Sequence, residues 1–171
     1  MSSHTQKTIK NIINFYGVGL HNGIKANLKV IPADENFGIK FCRTDIDKKD
    51  LIDANYQNVV EPILCTKIKN KNGITVSTVE HLMAAFFGEG VDNALVEIDA
   101  SEVPILDGSA SEFVEAIRST GIREQKELRK YIKVLKKVEI KEEGKYISIE
   151  PLNNDLIVDF EIVYSNPLIR T

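Results

Sequence analysis

Two stretches of this chain carry the same punctuated alternation. The first reads Leu28-x-Val30-x-Pro32, four residues, then Phe37-x-Ile39-x-Phe41; the second, 119 residues later, reads Ile147-x-Ile149-x-Pro151, four residues, then Leu156-x-Val158-x-Phe160. A period of two places alternate side chains on opposite faces of a strand. The pattern therefore predicts, twice over, a two-stranded ribbon with one face against a core. Two unrelated amphipathic hairpins would also satisfy it, since such alternation is common. The shared proline and the shared spacer favour duplication.

On a duplication, Thr171 corresponds to Ile52 of the first copy, and the second copy stops before its counterpart of the helix described below. The expected organisation is a first α+β unit over 1–125, then a linker and the first strands of an incomplete second unit over 126–171. Within the first, Ile9 to Phe15, Ala26 to Pro32 and Phe37 to Arg43 read as strands, with Gly17, Gly19 and Gly23 marking a turn-rich connection. The stretch "DIDKKDLIDANYQNV" reads as a polar loop. Asn72-Gly73 predicts a hairpin turn between "PILCTKIKN" and "GITVS". Ala94, Val96 and Ile98 alternate in a strand. A second helix follows, capped by Ser109 or Ser111, burying Phe113, Val114 and Ile117 and stopped by Gly121. "REQKEL" reads as a linker, and Tyr131 to Ile140, Tyr146 to Pro151 and Leu156 to Tyr164 as strands.

Several function classes are excluded early. A formal net charge of −3 gives no electrostatic reason to expect nucleic acid or an anionic membrane surface. The lysines of "KELRKYIKVLKKVEIKEEGK" are interleaved with glutamates, as on a solvated strand face. No apolar run is long enough to span a bilayer, and "MSSHTQKTIKN" has no apolar core of the kind a signal peptide needs. The expected compartment is the cytoplasm, where Cys42 and Cys65, outside any CxxC pair, are reduced thiols.

The chemistry-bearing stretch is "STVEHLMAAFFGEG", Ser77 to Gly90. Ser77-x-x-Glu80 has the form of a capping box, with Glu80 reaching back to the Ser77 N–H, and His81 fits a hydrogen-bonded, partly buried imidazole. The rest of the helix points elsewhere. Val79, Leu82, Met83, Phe86 and Phe87 form one apolar stripe, leaving Glu80, His81, Ala84, Ala85 and Gly88 on a face without Lys, Arg or Gln. Such a face suits a cavity wall. A neutral imidazole is a good zinc ligand and a neighbouring carboxylate a good general base. Catalytic zinc usually takes three protein ligands, however, and with only His4 and His21 besides His81, spacing alone completes no metal site.

Six blocks, "GVGLHNG", "RTDI", "LCT", "STVEHLMAA", "VDNALVEID" and "EVPILDGSA", fall in the order in which they resemble the signature blocks of the UDP-3-O-acyl-N-acetylglucosamine deacetylases, zinc amidases that commit Gram-negative bacteria to lipid A synthesis. The resemblance implies a two-layer α/β sandwich unit (ribosomal protein S5 domain 2-like), repeated, with the two helix layers packed around the active site. It implies a Zn2+ cofactor and hydrolysis of the acetamide of a UDP-3-O-((R)-3-hydroxyacyl)-N-acetylglucosamine. It assigns His81 as one zinc ligand and Glu80 as the base that takes a proton from the attacking water, with His21, Leu64 and Cys65 near the site. The other two ligands, a general-acid histidine and an oxyanion-holding threonine belong to a second unit and have no position here. The resemblance thus implies that the chain binds zinc weakly and is inactive alone. It further implies that the chain pairs with a complementary C-terminal half or self-associates. The competing expectation is a non-catalytic fragment or binding module derived from, or pairing with, the full enzyme. An RNA-binding α+β domain is disfavoured by charge and by the lack of exposed aromatics.

Overall fold

The structure is a computed structural model that describes residues 4–47, 50–61, 63–153, 156–164, 166 and 168. It divides into two units after Arg129. In chain order the first unit has β1 (Thr5–Ile9), β2 (Ile13–Val18), β3 (Lys25–Pro32), β4 (Ile39–Arg43), β5 (Leu51–Asp53), a 3-10 turn (Tyr56–Asn58), β6 (Val59–Val60), β7 (Lys67–Lys69), β8 (Thr75–Ser77), α1 (Glu80–Glu89), β9 (Ala94–Ile98), α2 (Ser111–Thr120) and β10 (Ile122–Leu128). The second unit has β11 (Val138–Glu142) and β12 (Lys145–Ile149). The architecture is α+β, as the sequence predicts.

A five-stranded sheet in the order β2-β3-β9-β4-β5 forms the base of the first unit. Alternation assigns its two faces. Ala26, Leu28 and Val30 of β3 and Ala94, Val96 and Ile98 of β9 are buried, whereas Lys25, Asn27 and Lys29 are exposed. Leu82, Ala85 and Phe86 of α1 and Phe113 and Ile117 of α2 join the buried set, and the Phe113 ring meets Phe15 edge-on at 4.9 Å. Phe41, Phe86 and Phe113 are fully enclosed, and burying each stabilises by roughly 1.5–3 kcal/mol. Arg118 pairs with Glu89 at 2.9 Å, linking the two helices. Ile68 and Val76 carry the small β6-β7-β8 sheet into the same core.

The predicted first ribbon is not a pair. β9 lies between β3 and β4, antiparallel to the former and parallel to the latter. The six residues from Ala33 to Gly38 can step over one strand, a distance of roughly 10 Å, and Asn36 and Gly38 turn there through positive φ (63° and 74°). The predicted strand Ile9 to Phe15 is also two strands, because the chain bends after Ile9 and leaves one sheet for another. "REQKEL" is strand rather than linker: β10 pairs antiparallel with β1. Backbone pairing is indifferent to side-chain polarity, and the polar side chains are used. Asn93 Nδ2 donates to Gln6 Oε1 (2.9 Å) and Gln125 Oε1 (2.8 Å). The polar loop before β6 likewise holds β5, whose Ile52 is wholly buried.

In the second unit, β11 and β12 form a hairpin with Val138 opposite Ile149 and Ile140 opposite Ile147. In the first, Ile13 lies opposite Val30 and Phe15 opposite Leu28. Val30 and Leu28 are the positions 119 residues before Ile149 and Ile147, but their partners do not keep that offset: 119 before Val138 and Ile140 stand Gly19 and His21, not Ile13 and Phe15. The hairpins also differ at the tip. Glu143-Gly144, both at positive φ, make a two-residue turn in the second hairpin, as type I′ requires, whereas Gly19 to Ile24 make a longer loop in the first. Residues 156–164, predicted as a strand, have no strand partner among the described residues. The stretch 119 residues earlier, β4, is held by β9 and β5.

Candidate active site

α1 starts without the expected capping box. Ser77 ends β8 and its hydroxyl donates to Ser101 O (3.2 Å). The N-cap residue is Val79, with no side-chain capping bond. Thr78, at φ 57°, swings the chain from strand to helix. Glu80 instead crosses to another loop: its Oε2 accepts the Thr66 N–H at 3.1 Å, while the Val79 N–H donates to Thr66 O at 3.4 Å. The carboxylate in the first turn still complements the helix dipole. At the other end the helix stops at Gly90, left-handed at φ 73°.

The helix is also rotated from its predicted orientation. Ala85 is buried, 1% exposed, and Phe87 is 75% exposed. The core lies under Leu82, Ala85 and Phe86, and the open side of α1 carries Glu80, Ala84, Phe87 and Gly88. Sequence periodicity fixes which residues share a stripe; packing against the sheet and α2 decides how far the stripe turns. Glu80 and His81 are half-buried at the margin of that open side.

Around them lie the other candidates. Leu64 is 86% exposed and holds φ 60°. Cys65, half-buried, is a free thiol one residue before the Thr66 that binds Glu80. The His21 side chain is exposed, but its N–H donates to Glu102 Oε1 at 3.0 Å. Non-glycine residues at positive φ cluster here: Leu64, Thr78 and Leu106. Strained backbone of this kind persists where the surroundings over-determine it, often at functional sites.

Two carboxylates that the sequence reading did not single out belong to the same region. Asp107 accepts the Ser109 N–H (2.9 Å) and hydroxyl (3.0 Å). These bonds, with the nearby charge of His81, hold its carboxyl below the usual aspartate range. Glu102 is 1% exposed. Burial pushes its carboxyl up, but the N–H groups of His21 and Asn22 and the Thr78 hydroxyl more than reverse this and leave it below the ordinary glutamate value. Asp107-x-Ser109 was visible as an Asx turn. Glu102, beside Val103-Pro104-Ile105, was visible only as a charge in an apolar run.

A metal fits these residues only in part. Among the described residues no three His, Cys, Asp or Glu side chains are grouped to hold an ion, so the region offers His81 as a single imidazole ligand. Two surface depressions, one beside Asn11 to Asn14 and Thr120, the other on the outer sheet face at Asn27 and Asp99, do not touch Glu80 or His81.

Residues 6–171 match the model of the family described as LpxC, UDP-3-O-acyl N-acetylglycosamine deacetylase. Among similar proteins, one named UDP-3-O-acyl-N-acetylglucosamine deacetylase from Shewanella halifaxensis is 43% identical over 162 residues, covering 95% of this chain and 53% of the relative. Its namesake from Shewanella violacea is 42% identical over 164 residues, covering 96% and 53%. The chain spans about half the length of the curated relatives it matches.

Proposed function

This chain belongs to the UDP-3-O-acyl N-acetylglycosamine deacetylase family, and from that premise we propose that it supplies the base-bearing half of a zinc amidase's active centre. The substrate is a UDP-3-O-((R)-3-hydroxyacyl)-N-acetylglucosamine, made in lipid A synthesis in the cytoplasm of Gram-negative bacteria. Water adds to the acetamide carbonyl carbon, the C–N bond breaks, and the nitrogen leaves with a proton as the free amine, giving acetate.

Glu80 takes the proton from the attacking water. Its carboxylate is suited to this because one oxygen is fixed by the Thr66 N–H, which orients the group without neutralising it. His81 holds one coordination position of the zinc, and the other ligands come from the part of the enzyme that corresponds to the rest of the relatives' length. The zinc, when bound, supplies Lewis acidity at the acetamide oxygen. Asp107 lies within electrostatic reach of His81. His21, Leu64 and Cys65 border the substrate. The β11–β12 hairpin opens a second unit like the first. No helix among the described residues is long and apolar enough to cross a membrane.

The observation that carries this reading is the Glu80 carboxylate turned off its own helix toward Thr66 beside His81. The test is to join residues 1–171 to the C-terminal remainder of the Shewanella halifaxensis relative and measure acetate release from the acylated UDP-sugar. Turnover that His81→Ala abolishes supports the proposal. A second reading, a non-catalytic module that pairs with an intact copy, is favoured by the absence of a three-residue metal group among the described residues. It predicts no turnover in the joined protein.

A further inference from the structure

We infer that Glu102 is a positioning residue that couples the His21 loop to the entrance of α1, so that His21, Glu80 and His81 are held toward one centre. This rests on the reading of Glu80 and His81 above.

Glu102 grips both sides of that junction. Its backbone lies in a parallel bridge with Ser77, and the flanking bonds are Ser77 N to Ser101 O (2.9 Å) and Val103 N to Ser77 O (3.0 Å). Its side chain continues the grip. Oε1 accepts the Thr78 hydroxyl at 2.8 Å, two residues before Glu80. The same carboxylate accepts the His21 N–H on both oxygens (3.0 and 3.2 Å) and the Asn22 N–H on Oε2 (3.0 Å). One buried carboxylate therefore spans two segments more than 50 residues apart in sequence.

Three further observations argue that the span is built for placement rather than for stability alone. Burying a carboxylate is costly until its hydrogen bonds offset the lost hydration, and a neutral residue would fill the space more cheaply. The loop approaches so closely that a Cβ at Gly19 would lie 2.5 Å from Glu102 Oε2, a distance only glycine tolerates. And the β11–β12 hairpin closes in two residues, whereas the loop from Gly19 to Ile24 is longer and contains the two residues whose N–H groups Glu102 holds.

The test uses histidine ring resonances of the 171-residue chain labelled with 13C and 15N. Glu102→Gln preserves shape but turns an amide N–H toward N–H donors. The expected result is at least a roughly tenfold faster amide exchange at His21 and Asn22 and displaced ring signals of His21 and His81, with those of exposed His4 unmoved. Thr78→Val, which removes only the hydroxyl, should move the His81 ring, and Thr78→Ser should restore it; this pair also serves if Glu102→Gln does not fold. Ile117→Val, a core change far from the clamp, should lower stability without moving either ring. In the joined protein, Glu102→Gln should lower kcat by about 100-fold, the cost of a small misplacement, with KM little changed. Rings that stay in place in Glu102→Gln and Thr78→Val, or that move equally in Ile117→Val, would overturn the inference. Loss of turnover in the unsubstituted joined protein would instead count against the deacetylase reading, with the ring shifts still deciding the role of Glu102.

Discussion

Replacing Glu80 by Gln separates chemistry from packaging, because the two roles carry different magnitudes. The glutamine Oε1 can still accept the Thr66 N–H now bound at 3.1 Å, so the hydrogen bond survives in neutral form. What is lost is its charge assistance and the interaction with the α1 dipole, together about 1 kcal/mol. For a unit of this size that is a fall in Tm of roughly 3–6 °C. With a typical stability of about 5 kcal/mol or more, the substituted protein remains almost entirely folded well below its Tm, so stability cannot account for a large loss of rate. A general base contributes about 100- to 10,000-fold, or roughly 3–5 kcal/mol of transition-state stabilisation. The assay is acetate release by residues 1–171 joined to the C-terminal remainder of the Shewanella halifaxensis relative, with zinc content and Tm measured on the same samples. The expected outcome is unchanged zinc, a Tm lower by a few degrees and turnover reduced at least about 100-fold. Turnover within about threefold of the parent, alongside the same drop in Tm, would show that Glu80 only secures the helix entrance, and the proposed mechanism would be refuted.

Three other outcomes can be checked on the 171-residue chain. Glu102 has a folded pKa below its unfolded value, so its contribution to stability is present above the unfolded value, about pH 4.3, and disappears as pH falls through the folded one; denaturant midpoints of the parent and Glu102→Gln should differ at pH 7 and converge in acid. Phe113→Ala, at a fully buried position packed on Phe15, should lose about 3–5 kcal/mol by denaturant titration. The chain should self-associate through the open side of α1, and Phe87→Glu, at a position 75% exposed, should shift it toward monomer in sedimentation without lowering Tm.

The elements that were legible in the sequence are those with local causes. Gly88 or Gly90 was readable as the helix stop, and the left-handed cap falls at Gly90; β7 turns into β8 at Asn72-Gly73, with Gly73 at φ 85°. Alternation along β3 and β9 named the buried face residue by residue. What escaped had distant causes. Nothing near Pro32 announces that β9, some 60 residues on, inserts between β3 and β4. The outward turn of Phe87 is set by the sheet and α2, not by α1's own period. Glu80 looked like half of a capping box because Ser77 stands at the right spacing, yet Ser77 is committed to β8 and Ser101. Glu102 could not be singled out because the groups that make it meaningful, at His21, Asn22 and Thr78, come together only in the fold. The 119-residue offset was legible as a recurring pattern, but the pairing partners within each hairpin needed the structure.

The central claim is a divided coordination sphere, in which these residues contribute one imidazole and the remainder of the enzyme contributes the rest. Zinc bound per chain after exhaustive dialysis, read by mass spectrometry for residues 1–171, for the joined protein and for the joined protein with His81→Ala, tests it most directly. The account predicts well under one zinc for the first, one for the second, and a return to substoichiometric metal for the third. One tightly held zinc on residues 1–171 alone, or undiminished zinc in the joined protein lacking His81, would contradict it.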